Sequence, residues 1–81
     1  MTQEEIKGKV MPIVEKYVGS ENTSIDPSDN LYEEHGADSL DIMLITMDVE
    51  QAFSISITDD MVHGFRTTQD IIDEVQRHIL D

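Results

Sequence analysis

Ile6, Val10, Ile13, Val14, Tyr17 and Val18 recur at spacings of three and four, which sets them on one face of a helix running from Gln3 to Val18. Glu4 and Glu5 suit its first turn, where the helix dipole favours negative charge. Pro12 conflicts with this pattern. It removes one backbone donor and crowds the carbonyl four residues earlier, here that of Gly8. A bent helix, or two short pieces, is expected. From Gly19 to Gly36 the pattern gives way to turn formers: Ser20, Asn22, Thr23, Ser24, Asp26-Pro27, Ser28, Asp29 and Asn30. This reads as a long loop, with Ile25, Leu31 and Tyr32 pinning it to the core.

A second helix is expected from Ser39 to about Phe53, capped by Asp38 with Asp41 completing a box-like arrangement. It has too much apolar surface for one face. Ile42, Ile45, Val49 and Phe53 make one stripe, and Leu40, Met43, Leu44 and Met47 make another. A bundle helix normally buries one stripe and leaves the rest polar. Either both stripes are buried, or the second meets a partner or a ligand. Ser54-Ile55-Ser56-Ile57 alternates like a strand, but four residues alone make no sheet, so an extended connector is expected. Thr58 then caps a short third helix, Asp59 to about His63, ended by Gly64. Thr67-Thr68-Gln69-Asp70 is a capping box for the last helix, whose core residues are Ile71, Ile72, Val75 and Ile79. The expectation is an all-α fold: a small four-helix bundle, three main helices plus one short one, with a long first loop. It fills a single domain, residues 1–81.

Charge narrows the function. Eighteen acidic residues face five basic ones, for a net charge of −13. The bases are segregated: Lys7, Lys9 and Lys16 near the start, Arg66 and Arg77 near the end, with eleven acids from Glu21 to Asp60 between them. Such a field repels nucleic acid and anionic membranes and attracts basic protein surfaces. The chain has no cysteine, which excludes disulfides and thiolate metal sites. Any thiol chemistry must come from an attached group. The N-terminus lacks the basic start and apolar run of a secretory signal, and no stretch has the length of a membrane span. A soluble, monomeric, cytoplasmic protein is expected. His35, His63 and His78 show no ligand spacing. Glu33-Glu34 and Asp59-Asp60 lack the glycine and spacing of a calcium loop. No nucleophile, base and oxyanion set stands out, so no catalysis is expected.

The stretch Gly36-Ala37-Asp38-Ser39-Leu40-Asp41, where the long loop meets the second helix, resembles the signature of the acyl carrier protein family. The resemblance extends through Glu50-Gln51-Ala52-Phe53 and Ile57-Thr58-Asp59-Asp60 to Thr67-Thr68-Gln69-Asp70, covering essentially the whole chain and weakest before Leu31. It implies that Ser39, flanked by Asp38 and Leu40, is the attachment point of phosphopantetheine, delivered from coenzyme A by a separate transferase. A helix N-terminus suits a phosphodiester, because free backbone N–H groups and the dipole both favour an anion. With no base in the motif, the serine is inert until an enzyme activates it.

The resemblance further implies a docking face for partner enzymes with basic patches, such as acyl-carrier synthetases, ketosynthases or acyltransferases. Asp38, Asp41, Asp48 and Glu50 would supply its charge, and Leu40, Met43, Leu44 and Met47 its apolar part. Salt should weaken such docking. Ile45, Val49, Phe53, Val62, Phe65 and Ile72 are the expected lining of an acyl-chain pocket. Three residues depart from the family pattern: His35, where leucine is usual; Leu44, where fatty-acid carriers often have glutamate; and Pro12. They suggest a specialised carrier with its own small set of enzymes. The alternatives are a peptidyl or aryl carrier of peptide or polyketide assembly, and, from charge alone, an acidic decoy that mimics nucleic acid.

Overall fold

A computed structural model of the chain describes residues 1–19 and 24–79. The turn formers Ser20, Asn22 and Thr23 lie outside the described residues. Among the described residues five helices follow one another: α1 (Gln3–Tyr17), α2 (Leu31–His35), α3 (Ser39–Phe53), α4 (Asp59–Gly64) and α5 (Thr68–Ile79). The long elements are α1, α3 and α5. α1 packs against both α5 and α3, and α4 leans on α3. Their apolar stripes meet in one core in which Ile6, Val10, Leu31, Ile45, Val49, Ile71 and Val75 are wholly buried.

α1 opens on a capping box in which the Thr2 hydroxyl accepts from Glu5 N–H and the Glu5 carboxylate accepts from Thr2 N–H. It is one helix with Pro12 inside it, so the expected alternative of two pieces is not found. The carbonyl that Pro12 crowds belongs to Gly8, and even a Cβ added there would meet nothing within 4 Å. A single lost hydrogen bond at an open position is outweighed by the burial of Val10 and Val14 on either side.

The segment read as loop up to Gly36 contains a short helix, α2, so the bundle has two short helices rather than one. At five residues it is too short to show a period. Its ends hold it instead. The Asn30 side chain accepts from the N–H groups of Tyr32 and Glu33, each at 3.0 Å, and Gly36 turns the chain out at φ 69°, a left-handed conformation that favours glycine. Ile25 and Leu31 are buried as expected, and Tyr32 is half-buried. Two backbone hydrogen bonds tie this region to the start of α5: Leu31 N–H to Arg66 (2.8 Å) and Gln69 N–H to Pro27 (2.9 Å).

Residues 55–58 are an extended connector, and no strand forms among the described residues. Gly64 is the last residue of α4 rather than a residue beyond it, and Phe65, 3% exposed, ends that helix by diving into the core. A second left-handed helix ending, after that at Gly36, falls on Ser54, φ 56°, at the end of α3. The capping box of α5 forms as expected, with Thr67 Oγ accepting from Asp70 N–H and the Asp70 carboxylate accepting from Thr67 N–H, both at 3.1 Å.

Candidate functional site

The chain enters α3 through a sequence of fixed points. Gly36 makes the turn, and Ala37, 8% exposed, anchors it. Asp38 is the extended N-cap. Its carboxylate accepts from Asp41 N–H at 2.9 Å, and the Asp41 carboxylate accepts from Asp38 N–H at 3.2 Å. Ile42, wholly buried one turn later, closes the frame with its N–H on the Asp38 carbonyl at 3.2 Å. Ser39 is the first helical residue and is exposed. Its N–H and that of Leu40 belong to the first turn and have no intrahelical acceptor, and among the described residues nothing else accepts from them. No side chain hydrogen-bonds the Ser39 hydroxyl among the described residues, and it is the one described serine that lies in a helix. The site therefore presents a rigidly placed, unactivated hydroxyl at the positive end of a helix dipole.

The second apolar stripe of α3 faces outward beside this serine. Leu40, Met43 and Met47 are 59%, 48% and 56% exposed, and Leu44 is half-buried. The four acids expected alongside them are all engaged by their own chain. Asp38 and Asp41 hold each other's amides. Asp48 accepts from the Tyr17 hydroxyl at 2.8 Å and from Lys16 at 3.3 Å. These partners, Tyr17 first, hold its carboxyl below the ordinary value, and Asp48 in turn raises Lys16. The Glu50 carboxylate accepts from Ile57 N–H at 2.8 Å. Charge on this face is thus fixed in place, while its most exposed side chains are leucine and methionine.

A cleft of about 250 Å³ opens between α3 and α4. Met43, Met47, Ile57 and Val62 give its apolar wall, and Thr46, Glu50, Asp59 and His63 also border it. Of the lining expected from sequence, Val62 alone borders this cleft. Ile45, Val49, Phe65 and Ile72 are packed in the closed core, and Phe53 is half-buried against it. Reading α3 as two stripes assigned Ile45 and Val49 to its inner face correctly but could not tell core from cavity wall. Thr46 belongs to that inner face too, and escaped notice because it is polar; its hydroxyl donates back to the Ile42 carbonyl at 2.8 Å.

The His35 side chain is buried behind the turn and pairs with Asp29 at 2.8 Å, which lowers the Asp29 carboxyl. His78 and Arg77 both reach the buried carboxylate of Glu74. Among the described residues no cluster of side chains could hold a metal ion, and no helix is long and apolar enough to cross a membrane.

An exposed serine opening a capped helix, in an acidic helical bundle, is the layout of a carrier domain. The family model of the phosphopantetheine attachment site matches residues 8–75. The chain belongs to the acyl carrier protein family. It is 30% identical over 79 residues to the acyl carrier protein of Exiguobacterium sibiricum, covering 98% of this chain and all of that one. It is 38% identical over 72 residues to that of Prochlorococcus marinus, covering 89% and 90%. Among solved structures, a Toxoplasma mitochondrial acyl carrier protein superposes with a TM-score of 0.87 at 23% identity over 98% of this chain and 92% of that chain, a likeness of fold. The protein is a phosphopantetheine-bearing carrier of acyl groups, and membership implies dealings with a phosphopantetheinyl transferase and with biosynthetic enzymes in general. The family match decides against the nucleic-acid decoy.

Proposed function

We propose that the phosphopantetheine of this carrier is attached at Ser39. The observation that carries the proposal is the exposure of Ser39 in the first turn of α3, beside two backbone N–H groups with no acceptor among the described residues. Those groups fit a phosphodiester, which would accept from amides that otherwise have only water. The terminal thiol of the arm supplies the thioester chemistry that a chain without cysteine lacks. Asp38 and Asp41 contribute by fixing the backbone of this turn, and Leu40 by offering an apolar contact next to the serine.

Partner enzymes would dock on the exposed α3 stripe of Leu40, Met43 and Met47, with Leu44 behind it. Methionine suits a surface that repacks against several partners. The acids around the stripe steer basic enzyme surfaces toward it. The cleft between α3 and α4 would shelter the acyl chain. Leu44 and His35 support a specialised carrier, working in the cytoplasm as a single domain. The test is to incubate the protein with coenzyme A and a broad-specificity phosphopantetheinyl transferase, then measure intact mass. Wild type should gain one arm, and Ser39→Ala none. No gain on wild type, beside a carrier control that is modified, would refute the assignment.

A further inference from the structure

We propose that Glu50 is a positioning residue that sets the width of the cleft between α3 and α4, and so the length of acyl chain the cleft accepts. The inference rests on the reading of that cleft as the shelter for cargo.

α4 is weakly anchored. It has no buried residue; Met61 and Val62 are only half-buried. Its hold on the bundle comes from its flanks, Ile57 before it and Phe65 after it, both buried. The segment that leads into α4, residues 54–58, leaves α3 through the left-handed turn at Ser54. Glu50 fastens that segment twice. Its backbone carbonyl accepts from Ser54 N–H and from Ile55 N–H, the latter at 3.1 Å, and its carboxylate accepts from Ile57 N–H at 2.8 Å. The first attachment is an ordinary helix ending, open to any side chain. The second needs an acceptor on a side chain of this reach, because it spans two further residues of extended connector.

Ile57 and Glu50 both border the cleft. The Glu50–Ile57 bond therefore fixes one wall, the connector and α4, against the other wall, Met43 and Met47 on α3. A hydrogen bond to an ionised acceptor is among the stronger ones available to a backbone amide. With it in place the wall stays where it is. Without it, Ile57 is held by apolar contacts, which are non-directional and permit sliding, and α4 by those and by the Arg66 guanidinium on its His63 carbonyl, at the end far from Ile57.

The test compares wild type, Glu50→Gln, Glu50→Asp and Glu50→Ala, each loaded at its arm from acyl-coenzyme A donors of increasing chain length. The readouts are the rise in thermal midpoint over the unacylated arm-bearing form and the hydrogen exchange of the Ile57 amide. Gln keeps an acceptor at the same reach and should keep the wild-type chain-length profile. Asp is too short and Ala has no acceptor. In both, Ile57 exchange should quicken about tenfold, and the best-stabilising chain should lengthen by at least two carbons. Should Ala fail to fold, Asp carries the result. A midpoint lowered equally at every chain length, with an unshifted profile, would overturn the proposal and leave Glu50 as a structural cap. A wild type stabilised by no chain length, though acylated, would instead overturn the shelter reading itself.

Discussion

α1 and α3 are both 15 residues long, both open on a capping box with acid in the first turn, and both send an apolar stripe into the same core. They differ on the side that faces water. α1 shows Glu4, Lys7, Lys9, Glu15 and Lys16 there, as a helix does when folding and solubility are its only demands. α3 shows Leu40, Met43 and Met47. Exposed apolar residues add little to folding, and singly they need no explanation. Three in one stripe, running from the serine to the cleft, call for a second use of the same helix. The acids of α3 sharpen the contrast. Those of α1 include free surface charges, whereas Asp48 and Glu50 are spent on Tyr17 and on the connector. α1 turns a charged side to water; α3 serves the bundle with one side and keeps an apolar stripe exposed on the other.

The contrast between the two sides of α3 can be broken most easily in the core. Ile45→Ala should lower unfolding free energy by about 2–5 kcal/mol, read from urea unfolding, while Met47→Ala should stay within about 0.5 kcal/mol. Comparable losses would mean that the outer stripe is structural after all. A docking role predicts the reverse ranking in function. Combined Met43→Gln and Met47→Gln should slow arm transfer by the transferase roughly tenfold, as loss of an interface anchor does, with little change in melting temperature. An unchanged rate would move the docking surface elsewhere. Next comes the frame of the serine: Asp38→Ala should cost about 1 kcal/mol in thermal unfolding, the usual toll for a lost N-cap. The smallest effect concerns the tie between α1 and α3. Hydrogen bonding from Tyr17, and then Lys16, depresses the Asp48 pKa in the folded state. Its stabilisation is therefore present above the unfolded carboxylate pKa of about 4 and lost as pH falls through the lower folded value. Wild type should outlast Asp48→Asn in melting scans at neutral pH, and the gap should close in acid. A gap independent of pH would show that the hydroxyl and ammonium contacts do not depend on the charge.

How much of this could be read beforehand differs from element to element. α3 was legible to the residue, because a cap, a box partner and a long helical period all mark the same boundaries. The place of Ser39 at the start of that helix was legible for the same reason. α2 was not, since its one buried residue, Leu31, makes no period, although Asn30 before it and Gly36 after it are the cap signals it depends on. The surroundings of the acids on α3 were only half legible. Residue type places Asp48 and Glu50 on the helix, but their partners Tyr17 and Ile57 are fixed by tertiary packing, which no local pattern encodes. The acyl lining was not legible on the same ground: Ile45 and Ile72 carry the same apolar signature whether they line a cavity or fill a core.

The attachment of the arm to one hydroxyl is tested most directly by locating it. After transfer from coenzyme A, proteolysis and fragment-mass mapping should find the added mass solely on the peptide that contains Ser39. An equal addition on peptides bearing Ser20, Ser24, Ser28, Ser54 or Ser56, or its persistence in Ser39→Ala, would contradict the account.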